Sequence, residues 1–130
     1  MVKFIPEEKL ILNLDPVKML MYKWMTGSFY WTKKVMVTNK RIIISFQWFG
    51  FESFTSALSC YFNNADFQSN KKFRNSLIVN YKIGRGRILG DFIKLVIKQR
   101  FLSMNIKIYT KKNYEIEKII KNNSRKISPN

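Results

Sequence analysis

Aromatic rings and lysines stand side by side in the segment "TGSFYWTKK" at positions 26–34. Successive side chains of a strand point to opposite faces, so a buried face accepts only every second residue of this run. Phe29 and Trp31 share one alternating face and can therefore be core residues. Tyr30 points the other way and is expected to be exposed. An exposed ring beside a cation is suited to the interface of an anionic membrane.

Other short segments also place cations on loops or beside rings. "NKKFRN" at 70–75 sets Phe73 among three cations, and "GRGR" at 84–87 is a basic turn whose arginines suit phosphate oxygens. Each basic residue near an acidic bilayer contributes about 1 kcal/mol, so several together predict salt-sensitive, reversible binding. The candidate residues for binding anionic lipid are Lys23, Trp24, Tyr30, Trp31, Lys33, Lys34, Lys40, Arg41, Lys71, Lys72, Arg74, Arg85 and Arg87.

A basic stripe is predicted on neighbouring strands from the alternation in "DFIKLVIK" and "MNIKIY". Lys94, Lys98 and Lys107 fall at outward positions of these segments, opposite an apolar set. Such lysines serve either as an ordinary solvated face or as part of a binding surface.

The charge of the chain favours an anionic partner. Its 130 residues include 24 Lys and Arg against 8 Asp and Glu, a formal net charge of +16. An excess of this size repels itself in a compact chain and attracts nucleic acid or acidic membranes, although a lysine- and asparagine-rich composition can also follow from AT-rich coding. The hydrophobic fraction of 46% is ample for a packed core, so the chain is not a disordered basic tail.

The sequence contains few residues suited to catalysis or metal binding. The chain has no histidine, which removes the commonest general base and the commonest metal ligand. Cys60 is the only cysteine and stands in the apolar context "ALSCYF", so a buried thiol is expected. "GRGR" does not open a predicted helix and is therefore not a P-loop, the phosphate-binding loop that precedes a helix. We expect no enzyme activity, no cofactor and no metal.

The start of the chain does not predict a signal peptide, because Pro6, Glu7 and Glu8 interrupt it before an apolar stretch forms. No run approaches the roughly 20 apolar residues that a transmembrane helix needs. The expectation is a soluble cytoplasmic protein whose membrane contact, if any, is peripheral.

The elements that must carry these residues are mostly strands. Alternation and turn signals predict strands over 17–25, 29–38 and 42–48, short strand-like pieces in 51–62, and further strands in 76–108, with 63–75 as a loop. In "NYEIEKIIKN" the period changes: Asn113 is a candidate cap, and Ile116, Ile119 and Ile120 form one helical stripe. The prediction is a mainly β fold, a partly open antiparallel β-barrel or sandwich of about seven strands with one C-terminal α-helix, as a single domain over residues 1–121 followed by a basic flexible tail over 122–130.

This order of elements resembles the pleckstrin-homology (PH) superfold, and specifically its GRAM-like or bacterial PH-like branch. The residues that carry the resemblance are "VTNKRIIIS" at 37–45, Gly27 ahead of them, and the lead-in "PEEKLIL" at 6–12. The similarity in strand order covers about 7–121 and is sharp over about ten residues. The aromatic run after Gly27 and the long polar segment 61–76 depart from the family pattern and weaken any transfer of function.

The resemblance implies a binding module that takes phosphoinositides, other lipids, peptides or proteins, and such domains often oligomerise. The spacing of basic residues typical of a phosphoinositide pocket is not met around Lys33 and Lys34, so we expect diffuse electrostatics. Attachment to anionic lipid headgroups is the first hypothesis. A protein-interaction or homo-oligomeric scaffold and a single-stranded nucleic-acid binder are the alternatives, the last without a recognisable RNA-binding motif.

Overall fold

The computed structural model describes residues 4–14, 17–23, 26–46, 57–69, 75–99 and 103–124, without the side chains of 23, 26–33, 46 and 57. Eight strands and two helices lie in these ranges. They are β1 (Leu10–Leu14), β2 (Lys18–Lys23), β3 (Thr26–Thr38), β4 (Arg41–Phe46), β5 (Ala57–Tyr61), α1 (Asn64–Ser69), β6 (Asn75–Gly86), β7 (Gly90–Lys98), β8 (Ser103–Tyr109) and α2 (Asn113–Asn123).

All eight strands belong to one sheet with the order β1-β3-β2-β8-β7-β6-β5-β4. The long β3 pairs with β2 through its first half and with β1 and β4 through its second half, so it bonds to strands from both ends of this order. The pairs are antiparallel apart from the parallel pair of β5 and β6. The predicted mainly β fold with a C-terminal helix is confirmed, with eight strands in the described part of the chain where about seven were expected.

The hydrophobic core lies on one face of β7 and β8. Ile93, Leu95 and Ile97 are fully buried, and so are Ile106 and Ile108 on the next strand. Side chains at the intervening positions of β7 are only half-buried or exposed. This period of two follows from the pleat of a strand, and β-branched residues pack well on such a surface, so the alternation in sequence indicated the face correctly.

The strand β4 is covered on both faces. Ile42, Ile43 and Ile44 all have no exposed surface, although alternation in "RIIISFQW" predicts Ile43 on the opposite face from Ile42 and Ile44. Ile42 and Ile44 belong to the main core cluster, whereas Ile43 pairs with Ser59 of β5 on the other side. A continuous apolar run is the pattern of a strand buried on both sides.

The helix α2 packs on the sheet and is hydrogen-bonded to it at its first residue. Ile116 and Ile120 are fully buried in the core cluster and Ile119 packs against it, which confirms the predicted apolar stripe. Asn113 does not cap the helix: its amide donates hydrogen bonds to the carbonyls of Phe92 at 3.0 Å and Gly84 at 3.4 Å, while no side chain caps the helix at Lys112. The helix starts where these bonds hold it, at the turn end of the β6–β7 hairpin.

Three local predictions were wrong. β1 was read only as a lead-in, and the predicted loop over 63–75 contains the short helix α1. Alternation in "SLIVNYKI" predicts Leu77, Val79, Tyr81 and Ile83 on the buried face. In β6 the register shifts between Ile78 and Asn80, so Val79 is exposed and Ile78 is buried in its place. A bulge inserts one residue and reverses the faces before it, which simple alternation cannot predict.

The domain boundary predicted at residue 121 falls inside α2, which continues to Asn123, and Ser124 is buried. The remainder of the predicted tail, residues 125–130, lies outside the described residues.

Candidate functional site

The thirteen residues predicted to bind anionic lipid fall into three groups. Trp24, Lys71, Lys72 and Arg74 lie outside the described residues. Lys23, Tyr30, Trp31 and Lys33 belong to described strands, but only their backbone is described. The residues whose side chains are described are Lys34, Lys40, Arg41, Arg85 and Arg87.

The register of β2 with β3 bears on the aromatic run. Trp31 is the ladder partner of Lys18, and Tyr30 is the ladder partner of Met19. Met19 is fully buried, whereas Lys18 is partly exposed. The backbone of Tyr30 is thus paired with a buried residue and that of Trp31 with a partly exposed one. The side chains of both aromatic residues lie outside the described part, so their assigned exposure stays a prediction.

Arg41 was predicted to bind an external anion and is instead enclosed by the fold. Its guanidinium meets the carboxylate of Glu8 through two bonds, Nε to Oε2 at 2.9 Å and Nη2 to Oε1 at 3.1 Å. Nη1 donates to the hydroxyls of Ser59 at 3.0 Å and Tyr61 at 3.2 Å. Since the residue is only 6% exposed, this guanidinium is a structural group, and the prediction for Arg41 is wrong.

Glu8 is held as a carboxylate by its surroundings. Burial alone would raise its pKa, but hydrogen bonds from Arg41, from the Thr38 hydroxyl at 2.7 Å and from the backbone N–H of Ile5 at 2.9 Å lower the pKa below its ordinary value. The charge of Arg41 acts in the same direction. A bidentate pair of this kind is shorter and stronger than a neutral hydrogen bond.

The turn between β3 and β4 therefore holds the N-terminal segment in place through hydrogen bonds to residues 7–9. The Asn39 side chain accepts from the N–H of Lys9 at 2.7 Å and donates to the carbonyl of Glu7 at 3.1 Å. The Thr38 hydroxyl also accepts from the N–H of Arg41 at 3.0 Å. Thr38, Asn39 and Arg41 of the "TNKR" segment thus have structural roles. Lys40 is half-exposed, and its side chain has none of the bonds described for them.

The thiol of Cys60 is fully buried in the core, as predicted. Burial raises the pKa of Cys60 to about 12, so the thiol is protonated at neutral pH and is a poor nucleophile.

Arg85 and Arg87 lie at a basic end of the molecule that we call the hairpin end, defined by residues 85–91 of the β6–β7 turn and 110–114 of the β8–α2 connection. Gly86 pairs with Gly90, and the left-handed φ of +83° at Gly90 lets the chain turn over three residues. The predicted turn at 84–87 is thus shifted, because β6 continues to Gly86.

The two segments of the hairpin end are in contact. The N–H of Thr110 donates to the carbonyl of Asp91 at 3.0 Å. A cleft of about 340 Å³ lies between the segments and is lined by Arg85, Leu89, Asp91, Tyr109, Thr110 and Lys111, among others. Arg85 makes a 3.6 Å contact with Asp91 but keeps 85% of its side chain exposed, so this pair leaves the guanidinium accessible.

An isoleucine stands at the tip of the hairpin end. Ile88 is 93% exposed and is bracketed by exposed Arg87 and half-buried Leu89. Tyr114, at the start of α2, is 69% exposed on the neighbouring segment. A single exposed apolar residue needs no explanation, but here an isoleucine, a tyrosine and several cations share one end.

Sequence reasoning found the two arginines and missed Ile88, Lys111, Lys112 and Tyr114. The signal for Ile88 was present, because "GRGRILG" places two apolar residues between turn glycines and beside arginines. The lysines of the β8–α2 connection could not be assigned to the same end without knowing that β7 and β8 are paired. Lys34, which is exposed on β3, and Lys40 belong to the β3–β4 hairpin instead.

Comparison of the chain with profiles of known protein families, with curated proteins and with solved structures found no match. Among the described residues, no helix combines the length and the apolar character needed to cross a bilayer.

Proposed function

We propose that this chain is a non-catalytic binding module that attaches peripherally to anionic membrane surfaces through the hairpin end. The observation that carries the proposal is Ile88, 93% exposed at the tip of a turn, next to Arg87 and three residues from Arg85. An exposed apolar tip with cations at the same end of the molecule matches a bilayer surface, where acyl chains lie just beneath anionic headgroups.

The balance of charge at the hairpin end supports this assignment. In the hairpin end the cations are Arg85, Arg87, Lys111 and Lys112, and the acids are Asp91 and, one residue beyond this end, Glu115. Asp91 is paired with Arg85, and Glu115 belongs to the first turn of α2, where it complements the helix dipole. Four cations against two acids give this end an excess of positive charge.

The energy available suits reversible binding. Burying one isoleucine side chain contributes about 1.5–3 kcal/mol, and four cations near an acidic surface contribute about 4 kcal/mol at physiological salt. Neither contribution alone gives stable attachment, and two signals together are the usual requirement. The binding should therefore need both the apolar tip and anionic lipid, and it should weaken as salt is raised.

We further propose that the fold is the partly open barrel of the PH-like superfold. β2 to β5 and β6 to β8 form two antiparallel series, β8 pairs back to β2, and β3 links both ends of the sheet. The C-terminal helix packs into the same core, as the resemblance implies. A binding role fits this architecture, because no catalytic group is needed for the chemistry described.

The experiment that tests the function is co-sedimentation with vesicles of phosphatidylcholine alone and of phosphatidylcholine with phosphatidylserine, at low and high salt. We expect binding to the anionic vesicles only. Ile88→Ser should weaken it about tenfold or more, from the lost apolar burial. Arg85→Gln with Arg87→Gln should weaken it about 30-fold at low salt and little at high salt.

Matched controls lie elsewhere on the surface. Val79→Ser removes a 43% exposed apolar residue from the β6 bulge, and Lys118→Gln with Lys121→Gln removes two exposed cations from α2. If the controls weaken vesicle binding as much as the hairpin-end variants do, attachment depends on net charge alone and the proposed site is wrong.

A further inference from the structure

Three lysines form a row across three neighbouring strands. Lys82 of β6 is the ladder partner of Lys94 of β7, which is the ladder partner of Lys107 of β8. Directly paired side chains of an antiparallel sheet have their Cβ atoms about 4.5–5.5 Å apart. We call this set the lysine row; it lies on the face opposite the core, where Lys82 is exposed and the other two lysines are half-exposed.

This arrangement carries an electrostatic cost. Like charges directly opposite each other destabilise a sheet. In the described residues between 17 and 111 the acids are Asp66 on α1 and Asp91, which pairs with Arg85 on the other face of β6. Neither occupies a position of the lysine row, so the row presents an uncompensated positive strip to solvent.

The neighbouring rows of the same face supply rings and amides. Toward the hairpin end, Phe92 pairs with Tyr109, with ring centroids 5.9 Å apart, and the Lys107 ammonium lies 4.7 Å from the Phe92 ring centre. On the other side of the lysine row, Asn105 of β8 pairs with Tyr22 of β2. Cations, aromatic rings and an amide therefore share one face across four strands, together with Leu20 and Val96.

The lysine row is too far from the hairpin end to serve the same membrane contact. Gly86 lies four residues beyond Lys82 in β6, and the turn extends farther, so the row lies about 13 Å or more behind the tip. The screening length at physiological salt is about 8 Å. A molecule attached through Ile88 would hold this face in water, where its partner must be a different anion.

We propose that this face, the lysine row with Phe92, Tyr109, Tyr22 and Asn105, binds single-stranded nucleic acid. Lysines take the phosphates, and the rings offer stacking surfaces that every base can use. The amide of Asn105 can donate to and accept from exposed base edges. The face extends over four paired strands, which gives an unpaired nucleic-acid strand a continuous surface, and an acidic peptide would give the rings no comparable partner. This inference is independent of membrane attachment, because it rests on the lysine row and not on Ile88, Arg85 and Arg87, although Tyr109 also lines the cleft at the hairpin end.

The test is fluorescence anisotropy of a labelled 12-nucleotide oligouridylate titrated with the full chain over a range of salt. The triple variant Lys82→Gln/Lys94→Gln/Lys107→Gln should reduce the salt slope by about 2, from about 0.7 per lost phosphate contact. The same relation gives about a 50-fold weaker affinity at 0.15 M salt. Tyr22→Leu should weaken binding at every salt concentration, by about fivefold or more, since it removes stacking.

The matched control is Lys9→Gln/Lys118→Gln/Lys121→Gln, which removes the same charge from exposed positions outside this face. An equal loss of affinity in both triple variants would show that oligonucleotide binding depends on net charge alone, and the proposal would be wrong. Polyglutamate that displaces the oligonucleotide as well as unlabelled oligouridylate does would also overturn it. Arg85→Gln with Arg87→Gln should leave oligonucleotide binding within a few-fold, which separates this site from the hairpin end.

Discussion

The buried pair of Glu8 and Arg41 gives the sharpest test of the fold. Glu8→Gln keeps the shape of the side chain but removes its charge, and it leaves the Arg41 guanidinium enclosed with one face unsatisfied. In the native protein the carboxylate accepts four hydrogen bonds, from the N–H of Ile5, the Thr38 hydroxyl, and Nε and Nη2 of Arg41.

The expected cost is large. Removing one partner of a buried, hydrogen-bonded ion pair costs about 3–5 kcal/mol, because an uncompensated charge remains. Domains of this size have a free energy of unfolding of about 5–15 kcal/mol. We therefore expect Glu8→Gln to remove a third or more of the stability and to lower the Tm by about 10–20 °C.

Urea unfolding followed by far-ultraviolet circular dichroism measures the effect. The neighbouring exposed Glu7→Gln is the control and should change stability by less than about 0.5 kcal/mol. Arg41→Gln and the double variant complete a thermodynamic cycle, in which the double variant should be much less destabilised than the sum of the two single variants. A Glu8→Gln protein as stable as the Glu7→Gln protein, or costs that simply add, would refute the described pairing.

Three further outcomes follow from described contacts. The pKa of Glu8 is lowered on folding, so its contribution to stability is fully present above the unfolded carboxyl pKa of about 4.3. That contribution is lost as the pH falls through the lower folded value. A pH series of urea midpoints should therefore show a fall below about pH 4.5 that is absent from Glu8→Gln. Lys94→Glu should raise the Tm by a few degrees, since two repulsive cross-strand pairs become attractive; an unchanged or lower Tm would contradict the geometry of the lysine row. Asn113→Ala should cost about 1–3 kcal/mol in urea unfolding through two lost bonds to β6 and β7, whereas Asn122→Ala, at an exposed position of the same helix, should be nearly neutral.

The alternation of apolar and polar residues was sufficient to predict a strand and its buried face where the strand keeps one period throughout. The alternation of β7 and β8 and the stripe of Ile116 and Ile120 were predicted from sequence and are found in the structure. Where the period is broken, prediction failed, because the β6 bulge exposes Val79. Prediction also missed the strand β1, since its pairing partner β3 is distant in sequence.

Long-range partners account for the rest of the failures. Nothing near Arg41 in sequence shows that a glutamate 33 residues earlier encloses it, so it looked like any other cation of a polar turn. The hairpin end likewise joins segments about 25 residues apart, and only the pairing of β7 with β8 brings Lys111 to the side of Arg85.

The position of Cys60 has a practical consequence. It is the sole cysteine of the chain, it has no exposed surface, and burial raises its pKa to about 12. A cysteine introduced at the surface, for example by Ile88→Cys, would thus be the one thiol of the native protein open to maleimide chemistry. A spin label or fluorophore could be coupled there without first removing the natural cysteine and disturbing the interior.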